Sequence, residues 1–169
     1  MSADLDWQRV CARKDGTFTG ILKGVPAGGL YRIETHLRTR ENPAVEWSQR
    51  GDMRHFVGVG DLWIVAGQSN SAGYGRGPCE DPPTLGVHLL DNALRWKLAC
   101  HPLNDTTGNV HPANRERANP GHAPWLAFAR QVLQATGVPI GLLQTSLGGS
   151  PLAAWEPAKA DQAVLWDVM

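Results

Sequence analysis

The chain has 169 residues, of which 42% are hydrophobic, and its 16 basic side chains balance its 16 acidic ones. This length suits one ordinary domain and is too short for two complete domains of typical size. Because the charges cancel and no run of like charges occurs, nothing favours nucleic acid or an anionic membrane as a partner, and a neutral or small substrate fits better.

Residues 1–58 have the pattern of short strands and turns. Pro26-Ala27-Gly28-Gly29 is a turn signal. From Tyr31 to Arg38, uncharged residues of strand-forming type alternate with charged or polar ones, which is the period of a half-exposed strand. We predict four or five strands here, forming a small or partial β-sandwich, since a complete one has about seven.

Residues 59–169 have the pattern of an α/β layer structure. Leu62 to Ala66 form an apolar run between glycines, which predicts a strand buried on both faces. Val87 to Leu90 and Arg95 to Leu98 are predicted as short strands around the turn Asp91-Asn92. Ile140 to Gln144 is predicted as the next buried strand.

Two helices are predicted in the same region. Apolar residues from Trp125 to Leu133 fall on one helical face, and Gly137 ends the pattern. A second helix is predicted over residues 158–169. Alternating strands and helices indicate a parallel sheet with crossovers. Five such strands need roughly 150 residues, so we expect the domain to be incomplete in this chain.

Ser69, in Gly67-Gln68-Ser69-Asn70, is the candidate nucleophile. It follows the first buried strand and precedes a predicted helical turn, so its hydroxyl is expected at the carboxyl edge of the sheet, where open α/β sheets bind ligands. On position alone, Ser69 is more simply a helix cap. The GxSxG elbow of α/β-hydrolases is excluded because Ser71 stands where that motif needs glycine.

Two blocks carry a resemblance to a known family. Gly60-Asp61-Leu62-Trp63 running into Gly67-Gln68-Ser69-Asn70 resembles the first block of sialate O-acetylesterase-like carbohydrate esterases, within the SGNH hydrolase superfamily. Val138 to Gln144, followed by Gly148-Gly149-Ser150-Pro151-Leu152 and Ala154-Trp155, is similar to the family's later strand, GGT-like loop and tryptophan. The resemblance covers most of residues 26–169. It implies an α/β fold with a flavodoxin-like SGNH-type parallel sheet and helices on both faces, truncated here and preceded by a small β-sandwich-like segment.

The resemblance also implies roles for single residues. Ser69 resembles the nucleophile and its N–H one oxyanion donor, and Gly148 resembles the glycine whose N–H is another. Four neighbours are expected to brace the loops or to lie near substrate: Gln68, Asn70, Gly149 and Ser150. The implied reaction removes O-acetyl groups from a carbohydrate through an acyl-enzyme, without a metal or an organic cofactor.

The general base of such a reaction has no match in this chain. The family's catalytic histidine follows an aspartate by three residues near the C-terminus, and its glutamine-bearing strand loop completes the oxyanion hole; neither is present. His111 imitates the histidine block, but Gly108 stands where the aspartate belongs. His122 is interpreted as a loop or cap residue. We therefore expect this chain alone to be nearly inactive.

Two alternatives remain open. A non-catalytic glycan-binding or scaffold protein on the same fold would keep a tryptophan-rich surface, and the chain has seven tryptophans. A lipase or thioesterase would need an apolar acyl groove, whereas the residues near Ser69 are small and polar.

The remaining signals concern cysteines and compartment. Cys11, Cys79 and Cys100 match no metal-ligand spacing and are interpreted as ordinary buried thiols. The first residues lack the features of a signal peptide, and no stretch reaches the roughly 20 apolar residues of a membrane span. The pattern leaves oligomeric state and compartment undetermined.

Overall fold

A computed structural model describes residues 5–10, 15–38, 48–116, 120–159 and 162–168. Contacts between residues divide the chain into two compact units, residues 1–59 and residues 60–169. In the described ranges, no helix has both the length and the apolar character needed to cross a bilayer.

The N-terminal unit is built on one antiparallel strand pair, β1 (Gly28–Arg38) and β2 (Ser48–Val59). The strand predicted from Tyr31 is confirmed, but its residues do not alternate in exposure. An extra residue in β2 at His55–Phe56, where Phe56 has a φ of 60°, forms a bulge in the strand. The described part of this unit has two long strands rather than several short ones. The described residues of this unit contain no second sheet, and the β-sandwich stays a prediction.

The C-terminal unit is built on a four-stranded sheet with the order β3-β6-β4-β5. Its strands are β3 (Asp61–Val65), β4 (Val87–Leu90), β5 (Trp96–Leu98) and β6 (Ile140–Gln144). Both β3 and β4 pair in parallel with β6, whereas β5 pairs antiparallel with β4. The strands predicted at 87–90, 95–98 and 140–144 are confirmed, and so is a parallel core to the sheet.

The sheet differs from the predicted parallel, flavodoxin-like arrangement in two respects. The β5 strand is antiparallel because the short turn after β4 leaves no room for a crossover. A flavodoxin-like order places the first parallel strand between the next two, but here β6 lies in the middle and β3 at the edge of the described sheet. The prediction that β3 is buried on both faces is therefore wrong: Leu62 and Ile64 are 66% and 52% exposed, whereas Ile140 and Leu142 are buried.

One long helix, α2 (Trp125–Thr136), packs on the sheet and ends before Gly137, as predicted. A short helix, α1 (Ser69–Ala72), follows β3. The helix predicted over 158–169 is wrong in the described part, which has turns and a 3₁₀ turn at Trp166–Val168. The N–H of Leu165 donates to the carbonyl of Ala154 (2.9 Å), so it is not available to a continuous α-helix. Helices on both faces of the sheet stay a prediction.

The core lies between α2 and the face of the sheet that α2 covers. Trp63 of β3 meets Phe128 of α2 edge to face, with the ring centroids 5.0 Å apart. Parallel pairing sets β3 and β6 in register, so that the loops leaving their carboxyl ends lie side by side. The buried apolar cluster comprises Val65, Val87, Leu89, Ala99, Leu103, Ala123, Leu126, Ala129, Ile140 and Leu142.

Candidate active site

Ser69 lies at the first position of α1, just beyond the carboxyl end of β3. Gly67, with a φ of 127°, makes the bend between strand and helix in a backbone conformation that favours glycine. The Ser69 side chain is half-buried, and its Oγ donates to Oε1 of Gln68 (3.0 Å). The N-cap residue of α1 is Gln68, and no side chain caps the helix. The interpretation of Ser69 as a helix cap is therefore wrong.

The loop after β6 lies against the segment that carries Ser69. The N–H of Leu147 donates to the carbonyl of Gly67 (3.0 Å), which joins the two loops at the carboxyl edge of the sheet. Ser150 Oγ donates to the carbonyl of Leu147 (2.7 Å) and accepts from Nε1 of Trp155 (3.1 Å). The structure thus brings the two sequence blocks together, with Ser150 bracing the second loop.

The other residues singled out near Ser69 are exposed. Gln68 contacts the Ser69 hydroxyl, and Gly149 lies at the exposed tip of its loop. Asn70 is exposed and makes no side-chain hydrogen bond in the described ranges of the chain. No histidine among the described residues hydrogen-bonds to Ser69 Oγ.

The Gly148 N–H is engaged by a buried carboxylate that the sequence did not reveal. It donates to Oε2 of Glu116 (2.8 Å), and the Tyr74 hydroxyl donates to Oε1 of the same carboxylate (2.7 Å). Glu116 is only 7% exposed. The hydrogen bond to Glu116 is the main cause that raises the pKa of Tyr74 above its usual value, and burial is the second, so Tyr74 keeps its proton.

The absence of a side chain at Gly148 is what permits this contact. A Cβ atom at that position would lie 2.5 Å from the Tyr74 hydroxyl oxygen and 2.8 Å from Oε2 of Glu116. Both distances are far below van der Waals contact. A larger residue here would displace the Tyr74 and Glu116 side chains from their present positions.

Serine hydroxyls bind the two loops to the backbone at the end of β3. Ser71 Oγ donates to the carbonyl of Ala66 (2.7 Å) and lies 2.7 Å from Ser146 Oγ. Ser146 is fully buried and donates to the carbonyl of Val65 (2.8 Å). Trp125 Nε1 of α2 donates to the carbonyl of Ser71 (3.0 Å). These bonds hold α1 on the sheet and on the first turn of α2.

A chain of buried asparagines joins a distant loop to the same site. Asn114 donates to Asn92 (3.1 Å), Asn92 donates to Asn104 (2.8 Å), and Asn104 donates to the carbonyl of Ser146 (3.0 Å). All three asparagines are buried, and Asn104 and Asn114 are almost completely so. The loop that carries Glu116 is thereby tied to the loop that carries Gly148.

A separate polar cluster lies around Asp81. Its carboxylate pairs with Arg130 and with Nε2 of His101 (3.1 Å), and the ligand atoms of Cys79, Asp81 and His101 lie within 4.8 Å of one another. Spacing had indicated no metal-ligating role for the cysteines, yet Cys79 joins this group. The Arg130 cation already neutralises the carboxylate, which makes the cluster a poor cation site as it stands.

Two other sequence interpretations can be compared with the structure. Cys79 and Cys100 are exposed, so the prediction of buried thiols is wrong for both, and Cys11 lies outside the described residues. His122 lies in the loop before α2, where its backbone N–H donates to the carbonyl of Gly75 (3.1 Å), as a loop residue would.

The chain is similar to proteins of known family and structure. Residues 59–168 match the family described as carbohydrate esterase, sialic acid-specific acetylesterase. An Arabidopsis thaliana protein of known structure has a TM-score of 0.50 and 24% identity over 63% of this chain and 48% of its own. A carbohydrate acetylesterase from Xanthomonas citri has a TM-score of 0.45 and 20% identity over 85% of this chain and 32% of its own. No curated protein matches significantly. This chain therefore spans less than half the length of either solved structure.

Proposed function

Because the chain belongs to the carbohydrate esterase family described as sialic acid-specific acetylesterases, we propose that the complete protein is a serine esterase that removes O-acetyl groups from a carbohydrate. Its substrate is an acetylated glycan, of which acetylated sialic acid is one candidate. We further infer that residues 59–169 form part of an SGNH-type catalytic domain and that residues 1–58 form a β-sandwich-like lead-in.

The placement of Ser69 carries this proposal. Its hydroxyl is half-buried at the carboxyl edge of the sheet, on the first residue of α1, and it caps no helix. The adjacent loop presents Gly148 and is joined to the Ser69 segment by the bond between Leu147 and Gly67. An acyl-transfer site needs a nucleophile and nearby oxyanion donors, and these two loops can supply both at this edge of the sheet.

In the proposed reaction, Ser69 Oγ attacks the acetyl carbonyl, and the negative charge that develops on the carbonyl oxygen is stabilised by the N–H groups of Ser69 and Gly148. The sugar alcohol leaves with a proton, and water then hydrolyses the acetyl-enzyme to acetate. The proton on Ser69 must pass to a general base, for which we propose a histidine oriented by an aspartate outside these 169 residues.

The Gly148 donor is available to substrate only after Glu116 leaves it, because its N–H is engaged in the structure. Loss of one oxyanion donor typically slows such enzymes by roughly 100-fold to 1,000-fold. Without a base and with this donor engaged, we expect the 169-residue chain to have little esterase activity.

A second candidate is a glycan-binding protein that has lost the chemistry. The engagement of Gly148 by Glu116 favours this alternative, since a protein that binds without turnover has no need of a free oxyanion donor. It predicts saturable binding of an acetylated glycan by the complete protein without release of acetate.

Acetate release by the complete protein tests the proposal. Acetylated sialic acid, acetylated xylan oligosaccharides and 4-nitrophenyl acetate would be compared as substrates, with Ser69→Ala as the variant and Thr84→Ala, outside the site, as the control. We expect Ser69→Ala to abolish release while the thermal unfolding temperature stays unchanged. Unchanged release by Ser69→Ala would remove Ser69 from the mechanism.

A further inference from the structure

The carboxylate of Glu116 is held between two donors that flank the candidate nucleophile. Oε2 accepts from the N–H of Gly148 (2.8 Å), and Oε1 accepts from the hydroxyl of Tyr74 (2.7 Å). The Glu116 residue is only 7% exposed. Hydrogen bonds to a carboxylate are stronger than those between neutral groups, so both contacts hold the acid firmly.

Both donors belong to segments joined to Ser69. Tyr74 follows α1, whose first residue is Ser69, and the N–H of Gly73 donates to the carbonyl of Ser69 (3.0 Å). Gly148 follows Leu147, which donates to Gly67. Glu116 itself comes from the long loop between β5 and α2. Its carboxylate therefore bridges the two loops that would close around a bound acetyl group.

The N–H of Gly148 has one hydrogen and can serve one strong acceptor at a time. In the proposed reaction that acceptor is the oxyanion of the transition state, but in the structure it is Oε2 of Glu116. An oxyanion brought to the same N–H would also lie beside a negative carboxylate, and like charges at that distance repel. The carboxylate and the transition state thus exclude each other from this donor.

We propose that Glu116 is an internal competitor for the oxyanion-binding N–H of Gly148, and that turnover requires its carboxylate to leave that N–H. The proposal rests on the proposed function of Ser69. It makes the position of the Glu116 side chain the feature that regulates the site. It also identifies Tyr74 as the group that holds the carboxylate on the Gly148 N–H, through its hydrogen bond to Oε1.

Glu116→Gln in the complete protein tests this. The amide has the same shape, its oxygen can still accept from Gly148, and its NH₂ group can donate to the Tyr74 oxygen, so these two contacts can be kept. The negative charge is lost, and the bond to Gly148 weakens. Glu156→Gln is the matched control, because Glu156 is an exposed glutamate whose side chain forms no ion pair within the described residues.

Two quantities would be measured: kcat/KM for 4-nitrophenyl acetate, and the affinity for phenylboronic acid, which forms a tetrahedral anionic adduct with a serine hydroxyl. We expect Glu116→Gln to raise both by about tenfold, since a charge-assisted hydrogen bond is replaced by a neutral one. Glu156→Gln should leave both unchanged. A circular dichroism melt of each variant shows whether the fold is retained.

The result that overturns the proposal is an unchanged or lower value of both quantities in a folded Glu116→Gln protein, which would make Glu116 a positioning residue. Ser69→Ala separates this failure from failure of the proposed function. If Ser69→Ala loses boronate binding while Glu116→Gln gains nothing, only the competitor role is wrong. If Ser69→Ala binds boronate as tightly as the parent protein and hydrolyses esters at the same rate, both proposals are wrong.

Discussion

Replacing Asn104 by alanine should destabilise the C-terminal unit by about 3–5 kcal/mol. Asn104 is completely buried, donates to the carbonyl of Ser146 and accepts from Asn92. The variant loses two buried hydrogen bonds, each worth about 1 kcal/mol, and leaves partners unpaired at a cost of about 1–3 kcal/mol. Asn92 keeps a second acceptor, the carbonyl of Asp105 at 3.0 Å, but Ser146 keeps only a 3.5 Å contact from Gln144. The Ser146 carbonyl therefore accounts for most of the unpaired-partner cost.

Urea denaturation followed by circular dichroism measures this difference in the free energy of unfolding. Asn70→Ala is the matched control, because Asn70 is exposed and its side chain forms no hydrogen bond within the described ranges; its effect should stay within about 0.5 kcal/mol. A loss below about 1 kcal/mol for Asn104→Ala would refute the inference that the buried asparagine chain holds the Gly148 loop in place.

Three further predictions concern the same unit. Gly148→Ala should lower kcat/KM of the complete protein at least tenfold, because its Cβ would lie 2.5 Å from the Tyr74 hydroxyl oxygen and displace the loop; a steady-state assay with 4-nitrophenyl acetate measures this. Asp91→Ala should lower the free energy of unfolding at pH 7 by roughly 1–3 kcal/mol, measured by urea titration. Burial tends to raise the pKa of Asp91, but two backbone N–H groups that donate to its carboxylate lower it below the usual value. The difference in unfolding free energy between Asp91→Ala and the parent should therefore shrink as the pH falls below about 4 and through the pKa of Asp91 in the folded protein. A constant difference down to about pH 2 would contradict the reasoning. Trp125→Phe should lower the thermal unfolding temperature by several degrees, since it removes the indole bond to Ser71.

Local patterns predicted most of the C-terminal elements. The helical spacing from Trp125, the turn at Asp91-Asn92 and the apolar run at Ile140 each depend on neighbouring residues only, and each gave the observed element. The order of strands was not predictable in this way. Apolar runs at Leu62 and at Ile140 look alike in sequence, yet one lies at the sheet edge and the other at its centre, because strand pairing is decided by contacts distant in sequence.

Part of the candidate site could be proposed from the sequence. Ser69 and Gly148 were singled out because each lies in a compact motif, and their catalytic roles stay predictions. Glu116 could not be found, since its partners Tyr74 and Gly148 are 42 and 32 residues away and no spacing rule connects them. The buried asparagine chain has the same property, because it joins separate loops through side chains whose type alone favours turns.

Covalent labelling of Ser69 tests the central claim most directly. The complete protein would be treated with a fluorophosphonate, which reacts with activated serine hydroxyls, and the labelled peptide would be located by mass spectrometry. The proposal predicts that the label lies on Ser69, that acetate release is lost in proportion to labelling, and that Ser69→Ala is not labelled. Full acetate release from protein labelled at Ser69, or a label on another serine with loss of activity, would contradict it.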